Sequence, residues 1–167
     1  MRQSSSAVLN IATAEEMRAL GRTLGRALHS VGAGALVVGV EGELGAGKTT
    51  FVSGVLNAAG VSGAVRSPTY TLVEPYEAAG RQLYHLDLYR LADAAEVEAL
   101  GIRDLLTPTA VLLIEWPSRG KGMLPTADLD LGIEYQPPAE SGRLLTLRAG
   151  SSAGDKLVEQ MLAAKSE

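Results

Sequence analysis

The apolar residues of this chain follow two spacings, one typical of buried strands and one typical of amphipathic helices. Residues 35–40 and residues 111–114 form uninterrupted apolar runs of strand length, which predict strands buried on both faces. Apolar residues three or four positions apart predict helices around these runs, the first of them carrying Met17, Leu20, Leu24, Leu28 and Val31. Because strands and helices alternate, the pattern predicts an α/β fold with helices on the faces of a sheet.

Shorter stretches predict the outer strands of this sheet. Residues 7–11 predict an edge strand, and residues 70–76 and 82–88 predict an antiparallel hairpin connected by residues 77–80. Alternating apolar positions near the C-terminus predict a second hairpin, followed by a last amphipathic helix. We therefore expect a three-layer sandwich whose mixed central sheet is mainly parallel, with antiparallel hairpins at its edges.

The first predicted helix carries two local signals. Thr13 and Glu16 have the spacing of a capping box, in which each residue satisfies a free backbone N–H at the start of a helix. Gly21 and Gly25 lie one turn apart inside the helix, where each glycine is about 1 kcal/mol less favourable than alanine. This pair indicates a helix face that lies close against another backbone or a ligand.

A glycine-rich segment joins the first buried strand to the next helix. Residues 42–49 match the pattern G-x-x-x-x-G-K-[ST], and the strand–loop–helix context is the one that the motif requires. Its glycines allow positive φ angles that turn successive N–H groups inward, and the start of the helix adds further N–H groups. A chance match is expected in only about 1% of such chains. The segment therefore predicts a phosphate-binding loop rather than a plain connection.

Each part of this loop has an expected role toward a nucleotide. Lys48 supplies a positive charge for the β- and γ-phosphates, and the Thr49 hydroxyl can ligate Mg²⁺. Guanine-specific proteins of this class read their base with an Asn/Thr-Lys-x-Asp segment; none of the four lysines lies in one, which favours ATP/ADP over GTP. The predicted nucleotide-binding residues of the loop are Gly42, Gly45, Ala46, Gly47, Lys48, Thr49 and Thr50.

A magnesium–nucleotide site also needs a carboxylate at the end of a neighbouring strand. Glu115 follows the apolar run 111–114 directly, so we expect it to bind the metal together with Thr49. Asp87 ends another β-type run. From spacing alone, Asp87 is about equally well explained as a catalytic or metal-shell residue and as an ordinary solvated carboxylate. The predicted catalytic residues are Lys48, Asp87 and Glu115.

Several other residues near these segments have a plainer interpretation. Trp116 could stack on a base, but a role in the core is more common for such a residue. A lone histidine such as His85 is more often structural than catalytic. Arg66 and Arg90 could contact phosphate, whereas a solvated surface arginine is the default.

Composition narrows the functional class. The formal net charge of −4 disfavours direct binding of nucleic acid by bulk electrostatics, and the lack of cysteine excludes disulfides and thiolate sites. No apolar stretch is long enough to span a bilayer, and the first residues do not resemble a signal peptide. We expect one P-loop ATPase domain over residues 1–167, cytoplasmic and without membrane contact.

Four motifs follow one another along the chain: GELGAGKTTF at residues 42–51, SPTYTLVEPY at 67–76, HLDLYRL at 85–91 and IEWP at 114–117. In this order and spacing they resemble the bacterial TsaE (YjeE) family, the ATPase of tRNA threonylcarbamoyladenosine biosynthesis. With GIRD at 101–104 and the terminal hairpin and helix, the resemblance covers nearly the whole chain. The glycine-rich loop alone is generic, but the four motifs together are highly specific.

The resemblance implies an activity and partners. Family members hydrolyse ATP weakly alone and faster with the TsaB–TsaD heterodimer, in which TsaD modifies N6 of adenosine 37 in tRNAs that read codons starting with A. The family pattern implies that Lys48 and Thr49 hold phosphate and Mg²⁺, that Glu115 is the second metal contact, and that Thr13 lies near the base. By the same resemblance, the segment that contains Asp87 corresponds to switch II of a GTPase, and residues 67–69 correspond to switch I. An acidic protein of this kind would meet tRNA only indirectly, through its partners.

Two other functional classes stay open at this stage. A small-molecule kinase would need an acceptor pocket and usually an arginine-bearing lid, and no arginine-rich segment stands out. A nucleotide-gated binding module would use the same loop with incidental hydrolysis. A kinase would transfer the phosphate to a molecule other than water, and a binding module would function without hydrolysis.

Overall fold

The computed structural model describes residues 3–32, 34–68, 70–136 and 142–166, which form a seven-stranded sheet with helices on both faces. The strands are β1 (Ser6–Ile11), β2 (Leu36–Gly42), β3 (Val73–Ala78), β4 (Arg81–Asp87), β5 (Ala110–Glu115), β6 (Leu129–Tyr135) and β7 (Arg143–Ala149). The helices are α1 (Ala14–Ala27), α2 (Lys48–Ala59), α3 (Glu96–Ala99) and α4 (Ser152–Lys165), with 3₁₀ turns at Ile102–Leu105 and Pro117–Gly120. None of the helices in these ranges is long and apolar enough to cross a membrane.

The sheet is mixed, as the sequence predicts. Its strand order is β1-β7-β6-β2-β5-β4-β3. The four inner strands β6, β2, β5 and β4 run parallel to one another, whereas β7, β1 and β3 pair antiparallel with their neighbours. The carboxyl ends of β2, β4 and β5 therefore meet at one edge of the sheet, which is where ligands bind in open sheets of this kind.

Two apolar cores cover the two faces of the sheet, which makes three layers. The larger core lies under α1, α2 and α4, and Phe51 at its centre is fully buried. The smaller core lies under α3, the 3₁₀ turns and the loops beside them. Alternate residues of β2 enter opposite cores, Val38 the larger one and Val37 the smaller one. This double burial explains why β2 and β5 are continuous apolar runs in the sequence.

Three predicted boundaries are wrong by a few residues. The strand predicted at 70–76 begins only at Val73, because Leu72 takes a left-handed φ of 63° and Tyr70 is 88% exposed. The hairpin connection is shorter than predicted and comprises Ala79 and Gly80 alone. The first helix ends at Ala27 instead of running to residue 31, although Val31 still packs in the larger core through the turn that follows.

The glycine pair inside α1 allows the backbones of α1 and α2 to touch, as the sequence indicates. A Cβ atom on Gly21 would lie 2.1 Å from the Phe51 carbonyl oxygen, and one on Gly25 would lie 2.4 Å from that of Val55. The contact is reciprocal, since a Cβ on Gly54 of α2 would lie 2.2 Å from the Arg18 carbonyl oxygen. This close packing fixes α2, and with it the start of the helix at the glycine-rich loop, against α1.

We expect Gly21→Ala to destabilise the fold by about 3 kcal/mol, because the added methyl group would collide with backbone that cannot move aside cheaply. Urea denaturation followed by circular dichroism measures this change. Gly132→Ala in β6 is the matched control, because nothing lies within 4 Å of its added Cβ. The control should be neutral or stabilising by up to about 1 kcal/mol. Equal stability of the two variants would contradict the close contact between α1 and α2.

Candidate functional site

The glycine-rich loop runs from the end of β2 to the start of α2, in the strand–loop–helix order that its sequence predicts. Gly45 and Gly47 take positive φ angles of 78° and 113°, which favour glycine. Gly42 does not take a positive φ, contrary to the expectation for this position. Its lack of a side chain serves another purpose, since a Cβ there would lie 2.9 Å from the Ile133 carbonyl oxygen of β6.

Side chains donate hydrogen bonds to the carbonyl groups of this loop. Lys48 Nζ donates to the carbonyl oxygens of Gly42 and Glu43 at 2.6 and 2.8 Å. The Tyr135 hydroxyl donates to the Leu44 carbonyl at 2.8 Å. Arg143 donates to the carbonyls of residues 45 and 46, at 3.2 and 3.0 Å. Every carbonyl from residue 42 to residue 46 is therefore engaged by a side chain.

Lys48 is the buried cation of the site. Its side chain is 5% exposed, and Nζ lies 4.3 Å from the centre of the Trp116 ring. Burial lowers the pKa of the Lys48 ammonium, and the carboxylates of Glu115, Asp87 and Glu41 act in the opposite direction. The carboxylates favour the charged form, but burial outweighs them, so the pKa of Lys48 is below its usual value.

Thr49 and Glu115 meet at the base of the loop. The Thr49 hydroxyl lies 2.9 Å from Oε1 and 3.1 Å from Oε2 of Glu115, whose side chain is 2% exposed. The pair offers hard oxygen ligands, which suit Mg²⁺. No group of three or more His, Cys, Asp or Glu residues in the described ranges could enclose a metal ion. The hydroxyl and the carboxylate fit a magnesium ion, which usually keeps several water ligands and is bound through one or two carboxylates together with substrate phosphates.

Asp87 lies beside Glu115 because their strands are in register. The two residues are direct partners at the carboxyl ends of β4 and β5. Asp87 accepts hydrogen bonds from the Ser67 hydroxyl and from the Tyr89 backbone N–H, the latter at 3.0 Å.

Of the predicted segment 67–69, Thr69 lies outside the described residues. Arg66 and Arg90 are exposed, which is the default expected for both.

His85 belongs to the site, although the sequence predicts only a structural role for it. Its side chain is completely buried, and Nε2 lies 2.5 Å from Glu115 Oε2. The histidine, Glu115 and Thr49 thus form one continuous chain of hydrogen bonds from the sheet to the loop. The sequence signal was the alternation of His85 and Asp87 on one strand face, which places both on the same side of the sheet.

Two cavities flank the loop and contain most of the predicted site residues. The larger, of about 300 Å³, is lined by Gly45, Gly47, Lys48, Thr49, Thr50, Asp87 and Glu115, together with Leu44, Ser67 and Trp116. The smaller, of about 180 Å³, is lined by Thr13, Ala14, Met17, Gly45, Ala46, Gly47, Thr50 and Arg143. The loop separates the two cavities, so a ligand that spans both would cross the N-terminus of α2.

Thr13 reaches the smaller cavity as the N-cap residue of α1. Its hydroxyl accepts from the Glu16 N–H at 3.1 Å, while the Glu16 carboxylate accepts from the Ala12 N–H at 2.9 Å. The capping box predicted from the sequence is present, except that the glutamate reaches one residue further back. The cap thus places Thr13 at the mouth of the cavity beside the loop.

A third depression, of about 550 Å³, lies on the other side of β2 and includes Gly42 in its lining. Glu41, Glu43 and Glu134 also line it. Three carboxylates make this depression unsuitable for phosphate despite its size. The chemistry of the loop therefore belongs to the two smaller cavities.

Trp116 lies at the edge of the site and not only in the core. It packs against the smaller core, and its ring also lines the larger cavity and lies 4.9 Å from the Tyr89 ring. Its backbone takes a left-handed φ of 59°, an unusual conformation for an aromatic residue. This turn directs the chain away from the sheet immediately after Glu115.

Comparison with known proteins identifies the family. A protein-family sequence model, described as "Threonylcarbamoyl adenosine biosynthesis protein TsaE", matches residues 11–144. The tRNA threonylcarbamoyladenosine biosynthesis protein TsaE of Haemophilus influenzae is 50% identical over 124 residues, which are 74% of this chain and 77% of that protein. The protein of the same name from Bacillus subtilis is 35% identical over 125 residues, 75% of this chain and 77% of that protein. This chain belongs to the TsaE family.

The fold is also found in a solved structure. The crystal structure of YdiB from Bacillus subtilis aligns with a TM-score of 0.74 over 99% of both chains, at 23% sequence identity. The region that matches the TsaE model extends from residue 11 to residue 144, and it contains every site residue described above, from Thr13 to Arg143. The cavities therefore lie within the part of the chain that defines TsaE proteins.

Arg143→Met should loosen the loop, because it removes the guanidinium donors from the carbonyls of residues 45 and 46 while keeping an extended apolar stem. We expect amide hydrogen exchange at Ala46, whose N–H donates to the Glu43 carbonyl at 3.0 Å, to accelerate about five- to tenfold when the loop loses one or two hydrogen bonds. Arg148→Met, at an exposed position of the same strand, is the control. Unchanged exchange in the loop, or equal acceleration in both variants, would refute this bracing role.

Proposed function

We propose that this TsaE-family protein is a magnesium-dependent ATPase that serves the threonylcarbamoylation of adenosine 37 in tRNA. The observation that carries the ATPase part is the meeting of Lys48, Thr49 and Glu115 in one cavity at the phosphate-type loop. The pathway part rests on the family and on the names of its relatives. The proposal treats residues 1–167 as one nucleotide-binding domain that works in the cytoplasm.

The triphosphate is expected to lie along the loop. The N–H groups of the loop other than that of Ala46, which donates to the Glu43 carbonyl, bind its oxygens together with the N-terminus of α2. Lys48 moves its charge from the loop carbonyls to the β- and γ-phosphates. The base then lies in the smaller cavity, where Thr13 offers a hydroxyl and Arg143 a planar guanidinium. The absence of a guanine-reading segment from the sequence supports adenine as the base.

Thr49 and Glu115 would hold the magnesium ion through the hydroxyl and the carboxylate. When bound, Mg²⁺ neutralises charge on the β- and γ-phosphates as the phosphoryl group is transferred to water. Asp87 lines the same cavity and is fixed by Ser67 and by the Tyr89 N–H, so it can orient the attacking water by accepting a hydrogen bond. We assign Asp87 this orienting role and no role as a general base. Lys48 and the loop N–H groups stabilise the developing charge.

The partners are proposed to be TsaB and TsaD. An acidic protein with a net charge of −4 need not bind tRNA itself when a partner does so. ATP and ADP would instead favour different conformations of the joint assembly, which is a coupling free energy between the nucleotide site and the partner. Hydrolysis then resets the complex for another round of modification.

Lys48→Ala is expected to lower ATP turnover in the presence of TsaB–TsaD by at least about 100-fold, because the buried ammonium that stabilises the transferred phosphate is lost. Circular dichroism should show an intact fold. Lys156→Ala, at an exposed position on α4, is the control and should keep wild-type turnover. Wild-type turnover in the Lys48 variant would overturn the assignment.

Asp87→Asn tests whether hydrolysis, and not only binding, drives modification. The variant should bind ATP within about threefold of wild type and hydrolyse it at least about tenfold more slowly, because the amide is a poorer acceptor for the attacking water. Multiple-turnover formation of modified adenosine 37 should then stop. Continued cycling would instead favour a nucleotide-gated binding module, and transfer of labelled phosphate to anything but water would favour a kinase.

A further inference from the structure

The His85 imidazole is buried in the sheet beside the carboxylate expected to hold the metal. It lies on β4, two residues before Asp87 on the same face, and none of its surface is exposed. Nε2 contacts Glu115 Oε2 at 2.5 Å, whereas Nδ1 is buried and has no hydrogen-bond partner among the described residues. Among the described residues, the contact with Glu115 is therefore the one hydrogen bond of the ring.

The contact fixes which nitrogen acts as the donor. An ionised carboxylate only accepts hydrogen bonds, so Nε2 must carry the hydrogen that faces Glu115. In the neutral ring Nδ1 is then a bare acceptor, which is less unfavourable to bury than an unpaired N–H group. A leucine could fill the same space without any unpaired polar atom. The contact with Glu115 is therefore what a histidine provides at this position and a leucine would not.

The two partners of Glu115 differ in what they can do when a cation is present. Among the described residues, its carboxylate accepts hydrogen bonds from Thr49 and His85. Thr49 would itself be a metal ligand, so its hydroxyl is shared with the cation. His85, held inside the sheet, remains as the donor that determines how the carboxylate is turned. Carboxylate ligands of metals are commonly held by such outer hydrogen bonds.

We propose that His85 is a positioning residue, whose Nε2–H holds Oε2 of Glu115 so that the carboxylate is presented to Mg²⁺ beside Thr49. This inference rests on the proposed magnesium–nucleotide site. It assigns His85 no contact with nucleotide, metal or water. Its effect should therefore be confined to the affinity for Mg²⁺ and to what depends on that affinity.

A pair of amide variants separates the hydrogen bond from the volume of the ring. In His85→Gln the side-chain amide can reach the position of Nε2 and donate to Glu115, whereas in His85→Asn it is too short and corresponds to Nδ1. His85→Leu, which lacks a donor but keeps apolar volume, is measured beside them. Leu83→Val, at a fully buried position two residues earlier on the same strand face, controls for general damage to β4.

The measurement is the affinity for ADP in EDTA and at increasing concentrations of Mg²⁺, followed by the fluorescence of Trp116, the sole tryptophan. In EDTA every variant should bind ADP within about twofold of wild type. The half-saturating Mg²⁺ concentration should rise at least about tenfold in His85→Asn and His85→Leu. It should stay within about threefold of wild type in His85→Gln and Leu83→Val.

The inference is overturned if His85→Asn and His85→Leu respond to Mg²⁺ like wild type. It is also overturned if His85→Gln or Leu83→Val shifts as far as His85→Asn, because packing and not the donor would then be responsible. Failure of the proposed function gives a different result, namely wild-type protein whose fluorescence responds neither to ADP nor to Mg²⁺. The two failures are therefore distinguished by the wild-type titration alone.

Discussion

The site depends on how the peptide groups of the glycine-rich loop are turned. In a planar trans peptide the carbonyl and the next N–H point in opposite directions. Lys48, Tyr135 and Arg143 together donate hydrogen bonds to every carbonyl from residue 42 to residue 46, and the Ala46 N–H donates to the Glu43 carbonyl at 3.0 Å. Because each peptide group is planar, fixing these carbonyls also fixes the direction of the N–H groups that follow, so the conformation of the loop is set by the protein itself.

Two further contacts place this loop relative to the sheet. The glycine contacts between α1 and α2 fix the helix that begins at Lys48, and the parallel register of β2, β4 and β5 brings Asp87 and Glu115 to the same edge. The carboxylates lie 28 positions apart in the chain, yet they are direct partners across adjacent strands. The α1–α2 packing and the sheet register therefore place Thr49 and Glu115 close enough for their side chains to form a hydrogen bond.

The fold and the loop could be predicted because their signals are local. Continuous apolar runs marked β2 and β5, the spacing of Gly21 and Gly25 indicated the helix contact, and the motif at 42–49 carried its own chemistry. Tyr135 and Arg143 could not be found this way, because each contacts the loop from about 90 or more positions away and looks like an ordinary strand residue. The sequence predicts a structural role for His85, because no periodicity reveals its contact with Glu115, which lies 30 positions away in the chain.

The charge of the larger cavity explains why a divalent cation would accompany the nucleotide. Among the residues that line it, Lys48 is the one cation, and Asp87 and Glu115 are the carboxylates. A triphosphate carries about four negative charges near neutral pH, so without a metal the cavity would bring like charges together. A dication beside Thr49 and Glu115 would reverse the net charge of the cavity. In the proposed site, recognition of the nucleotide would then depend on where one carboxylate is held, because an acidic chain has little general attraction for phosphate.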